Sequence, residues 1–294
     1  MSKSAEATEV AVVVNYFTGI DYLESCLRSL CSQDFSFKVY FINNCSKDDP
    51  NSIIDKFRGT LDLEYFETSK HLRLYEARNF GVSKTSEKFL TFIDVDDLWK
   101  PNYLSTQVDN LVDSGADLVF CGFQLFATSK GRSRKLLTSR TTYTNPVRAE
   151  SLARSYSVAL SGIIFTRHAY VKLGGFDPSL EIIGDFDFVM RAASLLRVVQ
   201  VPEVLVCIRV HSRSTGSVGR DRQVNELRNW MESVAPALEK GDEIVASIAG
   251  ELAILELLGS RRLNLNDVLR SLLRADTFRR RLALVRIVGK RLSR

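Results

Sequence analysis

The segment FLTFIDVDD, residues 89–97, is a short apolar run that ends in three carboxylates, Asp94, Asp96 and Asp97. The run has the length and composition of a strand buried on both faces, as parallel strands of α/β proteins are. Ligands of open α/β sheets bind beyond the carboxyl ends of the strands, so these acids lie where chemistry is expected. Their mutual repulsion would be relieved by a divalent cation that also binds a phosphorylated substrate. A solvated turn with a helix cap would explain one or two of the acids, but not the third.

Strands and helices alternate around this segment. Residues 10–15, 37–43 and 61–66 have the apolar composition of strands, and residues 21–31 and 75–83 carry apolar side chains at helical spacing. Such alternation predicts an α/β fold with a doubly wound, mostly parallel sheet.

The second half of the chain is less regular. Strand character returns at residues 117–126 and 204–210, the polar and basic stretch 128–145 is predicted to be a loop, and the pattern is helical from residue 224 onward. We therefore predict two parts, a catalytic domain over 1–215 and a helical, basic C-terminal extension over 216–294.

The composition is that of an ordinary globular protein. Of 294 residues, 45% are hydrophobic and 26% are charged, and no run approaches the roughly 18 apolar residues of a membrane span. Residues 1–9 are polar and do not resemble a signal peptide. The five cysteines form no CxxC pair, which is typical of reduced thiols. We expect a cytoplasmic protein.

Positive charge is concentrated at the C-terminus. Residues 261–294 hold eleven Arg and Lys against two Asp, a balance of +9 within a total of +5, so the preceding residues carry −4. Residues 277–292, TFRRRLALVRIVGKRL, would form a helix with an apolar stripe and basic flanks. Such a helix can lie on an anionic membrane, with about 1 kcal/mol from each nearby cation, or pack its stripe against the body. Nucleic acid is disfavoured because no aromatic residues alternate with the basic ones.

Several common motifs are missing. The first strand is not followed by GxGxxG, and neither GxxxxGK[ST], HExxH nor GxSxG occurs. Dinucleotide oxidoreductases, P-loop NTPases, zincins and α/β-hydrolases are therefore disfavoured. A metal-dependent enzyme that acts on a phosphorylated or nucleotide-linked substrate remains.

Two further groups could contribute to such a site. Asp185 and Asp187 flank Phe186 just before a predicted helix, where an Asp commonly caps the free N–H groups. A carboxylate oriented there, with an acidic neighbour, also suits a general base. His211 follows an apolar run and could bring an imidazole to the metal.

Eight short motifs, in this order and at these spacings, resemble the family 2 glycosyltransferases over roughly residues 10–215. They are VNY at 14–16, YLESCLRSL at 22–30, NNCSKD at 43–48, RNFG at 78–81, FIDVDD at 92–97, GGFD at 174–177, GDFD at 184–187 and RVH at 209–211. The resemblance implies an inverting enzyme of the GT-A fold that uses a nucleoside diphosphate sugar with Mn²⁺ or Mg²⁺.

The resemblance also implies a role for each matched residue. Asp185 would be the catalytic base, and the metal would be held by Asp96, Asp97 and His211. The residues matched to donor binding are Asn15, Tyr16, Asn43, Asn44, Arg78, Asn79 and Asp94. There are two departures from the family pattern. Asn43 replaces an Asp, although its carbonyl could still accept from N3–H of uracil or thymine. Gly184 replaces the Glu of a Glu-Asp pair.

The expected function is transfer of a sugar, with inversion, to a saccharide acceptor, free or lipid-linked, in the synthesis of a surface polysaccharide such as lipopolysaccharide. Membrane contact through residues 277–292 would put the enzyme at the inner face of the plasma membrane. Two alternatives stay open. A sugar nucleotidyltransferase also uses metal-binding acids, but residues 15–19 lack its Gly-rich basic loop. A non-catalytic glycosyltransferase-like protein that binds a partner would explain the two departures, but not the retained acids.

Overall fold

A computed structural model gives the fold and describes residues 9–129, 132–139, 141–211 and 220–259. Nine strands lie within these residues: β1 Val10–Tyr16, β2 Lys38–Asn43, β3 Leu63–Glu67, β4 Phe89–Asp94, β5 Leu98–Trp99, β6 Leu118–Ser129, β7 Arg132–Thr138, β8 Ile163–Thr166 and β9 Val198–Arg209. The same residues contain nine α-helices: α1 Ile20–Cys31, α2 Asn51–Ile54, α3 Leu74–Val82, α4 Tyr103–Ser114, α5 Ala149–Arg154, α6 Arg167–Lys172, α7 Gly184–Leu195, α8 Arg220–Ser233 and α9 Gly241–Gly259.

The described strands form one sheet. β3, β2, β1 and β4 are parallel neighbours in that order, which confirms the predicted alternation for the first half of the chain. The sheet then continues with β8 and β6 in antiparallel pairings, β9 parallel to β6, and β5 antiparallel to β9. The second half of the sheet is therefore mixed.

The register of the parallel strands sets the position of the site. Tyr16 at the end of β1 lies opposite Asn43 at the end of β2, and Asn15 lies opposite Asp94 at the end of β4. The carboxyl ends of three strands therefore meet at one edge of the sheet, where α/β proteins bind ligands.

Both faces of the sheet are covered. Alternate side chains of β1 point to opposite faces, so that Val12 packs in the same cluster as Leu23 and Leu27 of α1, while Val13 packs with Tyr75 of α3. Burial on both faces explains why residues 10–14 of β1 are an unbroken apolar run, without an alternating pattern.

The stretch 128–145 was predicted to be a loop, and this prediction is wrong for residues 128–129, which end β6, and for residues 132–138, which form β7. β7 forms an antiparallel hairpin with β6, with Leu137 opposite Leu125. Its residues 133–136 are exposed, and charged side chains are common on such strands because they discourage pairing with another chain. A strand that buries little apolar surface shows no hydrophobic period from which it could be recognised.

Helices α8 and α9 pack against the body. Leu227 and Trp230 of α8 and Ile248 of α9 are buried in the same cluster as Phe188 of α7. The indole N–H of Trp230 donates to the buried carboxylate of Asp187 at 2.9 Å. Residues 220–259 therefore share a hydrophobic core with the sheet, and the division into 1–215 and 216–294 stays a prediction.

Among the helices that the structure describes, none combines the length and the apolar character needed to cross a membrane. The predicted basic helix at 277–292 lies outside the described residues.

Candidate active site

The three acids that follow β4 have different surroundings. A tight turn brings them together, since the backbone N–H of Asp97 donates to the carbonyl of Asp94 at 2.9 Å. Each side chain then has its own partner: Arg78 for Asp94, His211 for Asp96 and Ser161 for Asp97. The cluster thus consists of three separately stabilised carboxylates.

Asp94 is paired with a buried guanidinium. Nη2 of Arg78 lies 2.8 Å from Oδ1 of Asp94, and the arginine side chain is only 4% exposed whereas the carboxylate is 41% exposed. Arg78 also lies over the ring of Tyr75, with Cζ 5.0 Å from the ring centroid. The Asp94 carboxylate is therefore partly open to a ligand, while the buried guanidinium of Arg78 holds it in place.

Asp96 and His211 form the second pair. Nε2 of His211 lies 2.8 Å from Oδ2 of Asp96, and the imidazole stacks on Tyr22 with 5.1 Å between ring centroids. Burial, together with the charge of Asp94, raises the pKa of Asp96, and the hydrogen bond to His211 opposes that rise. Both side chains remain partly exposed, so both can reach a ligand.

Asp97 is buried. Its Oδ2 accepts from the Ser161 hydroxyl at 2.7 Å, and its Oδ1 accepts from the backbone N–H of Arg209 at 3.1 Å. Burial, together with the charges of Asp96 and Asp94, holds its pKa well above the usual range. Its predicted role as a metal ligand would require a carboxylate oxygen to take a further partner or to give up one of these bonds.

The proposed base lies at the start of a helix, as predicted. Asp185 is the second residue of α7, and its backbone N–H donates to the hydroxyl of Tyr75 at 3.0 Å. Its Oδ1 accepts from the backbone N–H of Phe186 at 2.8 Å and lies 3.3 Å from the same hydroxyl. Asp187 has a different role, because it is 2% exposed and bonded to Arg191 and Trp230.

A side chain of the C-terminal helix α8 holds the loop that leads into α7. The carboxylate of Glu226 in α8 accepts from three consecutive backbone N–H groups, those of residues 181, 182 and 183, at 2.9, 2.9 and 3.1 Å. These bonds fix the backbone immediately before Asp185. The extension thus contributes to the shape of the site although it carries none of the predicted site residues.

A cavity of about 370 Å³ lies between the end of β4 and the start of α7, and Asp96 and His211 are not among the residues that line it. Asp94, Asp97 and Asp185 all line it, together with Arg78 and Tyr75. Its apolar walls come from several elements, and they include Leu125, Val158, Ile183, Phe186, Leu227 and Ile248. The volume is within the usual range for small-molecule sites. The structure therefore brings the end of β4 and the start of α7 to one cavity.

Asn43 and Asn44 lie at the end of β2 and are almost fully buried. Nδ2 of Asn43 donates to the hydroxyl of Tyr65 at 2.8 Å, and its Oδ1 accepts from the backbone N–H of Ser46 at 3.0 Å. The Asn44 amide bonds to both backbone groups of Leu72. Within the described residues these bonds leave Asn43 one N–H and one lone pair for a ligand, whereas Asn44 holds a loop in place.

The remaining predicted donor residues differ in what they offer. Oδ1 of Asn15 is buried and has no hydrogen-bond partner among the described residues, so it has an unused lone pair that a ligand could reach after a local rearrangement. Tyr16 is fully buried beside Phe41. The Asn79 amide is occupied: it bonds to both backbone groups of Phe176 and to the hydroxyl of Tyr170. Contact of Tyr16 and Asn79 with a donor stays a prediction.

Three residues with evident roles had been given none from the sequence. Arg209 donates to the carbonyl of Asp96 at 2.9 Å and lies over the ring of Tyr22, with Cζ 4.8 Å from the centroid. Ser161 holds Asp97, and Tyr75 holds Asp185. Arg209 could have been noticed as a charged residue that ends an apolar strand. Ser161 and Tyr75 have no comparable signal.

A divalent metal fits part of the predicted ligand set. Asp96 supplies a carboxylate oxygen, the kind of ligand that Mn²⁺ and Mg²⁺ prefer, and His211 supplies an imidazole nitrogen, which suits a transition-metal ion such as Mn²⁺ better than the harder Mg²⁺. Adjacent ligands of an octahedral ion with bonds of about 2.1 Å lie roughly 3 Å apart, so their 2.8 Å separation suits one ion after a small adjustment. Across the residues that the structure describes, no group of three or more acids, histidines or cysteines is arranged as a complete metal site.

The sequence model of the family described as glycosyl transferase family 2 matches residues 11–172, more than half of this chain. The chain belongs to glycosyl transferase family 2. The matched part includes β1 to β4 and the acids that follow them. The family 2 assignment made from eight motifs is therefore confirmed.

Three proteins similar to this family 2 glycosyltransferase share 16–23% of its sequence. An uncharacterized glycosyltransferase of Rickettsia typhi is 23% identical over 235 residues, which cover 78% of this chain and 71% of the relative. TarS from S. aureus, solved with UDP-GlcNAc, matches with a TM-score of 0.67 at 16% identity, over 96% of this chain and 80% of that chain. The mannosyltransferase PcManGT from Pyrobaculum calidifontis, solved with GDP-Man and Mn²⁺, matches with a TM-score of 0.63 at 17% identity. The match covers 98% of this chain and 88% of that chain. These likenesses confirm the predicted GT-A-type α/β fold.

Proposed function

We propose that this chain is an inverting glycosyltransferase that moves a sugar from a nucleoside diphosphate sugar to a hydroxyl of a saccharide acceptor. The observation that carries the proposal is the single cavity lined by Asp94 with its arginine partner and by Asp185. Sugar transfer needs one group of charges to hold the donor and a separate carboxylate to activate the acceptor. Both kinds of group line this cavity.

The donor is proposed to bind along the carboxyl ends of β1, β2 and β4. Three observations support this location: the unpartnered buried Oδ1 of Asn15, the spare hydrogen-bonding capacity of Asn43, and the partly open carboxylate of Asp94 on Arg78. The UDP-GlcNAc and GDP-Man complexes of the two structural neighbours make a nucleotide sugar the donor class to test.

Asp96 and His211 are proposed to hold Mn²⁺ or Mg²⁺, and Asp97 to brace the turn that carries Asp96. When bound there, the ion would stabilise the negative charge of the diphosphate leaving group as a Lewis acid. The proposal includes Asp97 as a positioning residue because its two carboxylate oxygens bond to Ser161 and Arg209. The buried cation Arg209 adds positive charge below this end of the site.

Asp185 is proposed as the general base. It would take the proton of the acceptor hydroxyl while that oxygen attacks the anomeric carbon from the face opposite the diphosphate. The new C–O bond forms as the bond to the diphosphate breaks, so one in-line displacement inverts the configuration. General-base assistance typically contributes about 10²–10⁴-fold to the rate.

The acceptor is proposed to enter along the apolar walls formed by α7, α8 and α9. Phe186 and Tyr156 lie there with ring centroids 5.0 Å apart and offer apolar faces to a sugar ring. A lipid-linked saccharide for a surface polysaccharide is the acceptor class that we propose. A cytoplasmic location, with membrane contact through residues 277–292, belongs to the same proposal.

Ligand binding can be tested by thermal shift with UDP, GDP and dTDP in the presence of Mn²⁺ or of EDTA. We expect one nucleoside diphosphate to raise the melting temperature more with Mn²⁺ than with EDTA. Preference for a nucleoside triphosphate would instead indicate a nucleotidyltransferase. No response to any nucleotide would contradict the proposal.

Turnover can be followed as release of the nucleoside diphosphate from its sugar, by transfer to water or to added saccharides. We expect Asp185→Asn to lose about 10²–10⁴-fold in rate while its thermal shift with the diphosphate is kept. Asp177→Asn is the matched control, because Asp177 makes its bonds within an exposed turn and does not line the cavity. Near-normal turnover by Asp185→Asn would refute the assignment of the base.

A further inference from the structure

The N-terminus of α7 packs directly on the side chain of Tyr75 from α3. The tyrosine is 2% exposed, and its hydroxyl oxygen accepts from the backbone N–H of Asp185 at 3.0 Å. The same oxygen lies 3.3 Å from Oδ1 of Asp185 and 3.4 Å from the carbonyl of Ile182, so its proton is shared between these acceptors. One hydroxyl therefore contacts both the backbone and the carboxylate of the proposed base.

This packing requires glycine at position 184. A Cβ built on Gly184 would lie 2.5 Å from Cε2 and 2.6 Å from Cδ2 of the Tyr75 ring, distances that real Cβ atoms do not show. The ring is confined further, because Arg78 lies over it and Phe176 packs at 5.5 Å between centroids. The absence of a side chain at residue 184 is thus what lets the tyrosine reach Asp185.

We propose that Tyr75 is a positioning residue for Asp185, and that it links the base to the donor side of the cavity. The inference rests on the proposed function of Asp185. Tyr75 contacts Arg78, which holds Asp94, and it contacts Asp185, so a single buried ring spans the two halves of the site. A donor that orders the Arg78–Asp94 pair would thereby also fix the ring on which Asp185 rests.

The groups packed around Asp185 determine how strongly the Tyr75 hydroxyl affects the charged form of its carboxylate. Arg78 of α3 supplies positive charge nearby, and on the side of α8 the Glu226 carboxylate is occupied by the backbone N–H groups of residues 181–183. The Tyr75 hydroxyl lies 3.3 Å from Oδ1 of Asp185 and is a side-chain hydrogen-bond donor to that carboxylate. Loss of the Tyr75 hydroxyl removes a hydrogen bond that favours the charged form of the Asp185 carboxylate, while the bond from the backbone N–H of Phe186 stays.

The test is Tyr75→Phe in the full chain, measured by nucleoside diphosphate release from the donor that the thermal shift identifies. We expect kcat to fall about 10- to 100-fold, since hydrogen bonds to charged groups are worth that much in rate. The KM of the donor should change less than twofold. The acid limb of the pH–rate profile should move to higher pH, because the carboxylate form loses a hydrogen bond.

Tyr40→Phe is the matched control. The Tyr40 hydroxyl is also buried and also donates to a carboxylate, that of Glu87 at 2.8 Å, on an element that does not line the cavity. We expect this variant to lower the melting temperature and to leave kcat and the pH profile unchanged. A purely structural role for Tyr75 would make the two variants behave alike.

Three outcomes are decisive. A lowered kcat with a shifted acid limb in Tyr75→Phe alone supports the inference. Normal kcat and an unshifted limb in Tyr75→Phe, while Asp185→Asn is inactive, would overturn the positioning role and leave the proposed function intact. Normal turnover in Asp185→Asn would overturn both.

Discussion

Substitutions of Asp97 test whether its carboxylate has a structural role or binds the metal ion. Asp97→Ala leaves the hydroxyl of Ser161 and the backbone N–H of Arg209 without their acceptor in a buried place. Each unsatisfied buried group costs about 1–3 kcal/mol, so the free energy of unfolding should fall by about 2–6 kcal/mol. Asp97→Asn keeps an acceptor for the N–H of Arg209 and removes a buried charge. Its stability should therefore lie within about 1 kcal/mol of the wild type at neutral pH.

The pH dependence gives an independent check. Burial raises the pKa of Asp97 in the folded state, so ionisation of this group opposes folding. Well below pH 4, and so below the pKa of about 3.9 of an unfolded Asp, the carboxyl is protonated in both the folded and the unfolded state, and it contributes nothing. As the pH rises above that value, the wild type should lose stability relative to Asp97→Asn. Urea denaturation in EDTA, from pH 4 to pH 8, measures this difference.

The same two variants then report on the metal. With Mn²⁺ and the nucleoside diphosphate, we expect Asp97→Asn to keep most of the metal-dependent thermal shift and Asp96→Asn to lose it. If Asp97→Asn loses the shift as completely as Asp96→Asn does, Asp97 is a ligand and our reasoning from its hydrogen bonds is refuted.

Three further predictions concern packing and the tail. Trp230→Phe removes the hydrogen-bond donor to the buried carboxylate of Asp187 and should lower the free energy of unfolding, measured in urea, by about 1–3 kcal/mol. An unchanged free energy of unfolding would contradict the role of this bond in holding α8 to the body. Gly184→Ala should cost about 1–3 kcal/mol through overpacking against the tyrosine ring, whereas Gly59→Ala, with open space around it, should cost less than 1 kcal/mol. Deletion of residues 277–292 should abolish co-sedimentation with phosphatidylglycerol vesicles, and equal binding of both proteins would refute the membrane role of the tail.

Much of the candidate site could be predicted because its residues follow regular elements. Asp94 ends an apolar strand and Asp185 lies in the first turn of a helix, so local periodicity indicated that both lie at the ends of elements, and the family resemblance singled out Asp185 as the expected base. The α/β alternation likewise fixed the parallel half of the sheet, since strands that are buried on both faces have a recognisable composition. The family resemblance then implied that Asp94 binds the donor and Asp185 acts as the base in the same reaction.

The partners of these residues could not be predicted in the same way. Ser161 lies 64 residues from Asp97, and Arg209 lies 112 residues from it. No local period relates residues at such distances, and nothing in the sequence distinguishes a carboxylate that stays open from one that becomes buried. Strand β7 was missed for a related reason, because an exposed edge strand carries no apolar signal.

The sequence by itself determined the fold class, the strand ends where the acids lie, and the residue proposed as the base. Only the tertiary structure decided how the three acids divide their roles, with Asp94 on Arg78, Asp96 beside His211 and Asp97 buried. The physical reason is that local sequence sets the direction of each chain segment, whereas burial and hydrogen-bond partners arise when distant segments pack together. The contact of Tyr75 with Asp185 is of this second kind, since it exists only where α3 meets α7.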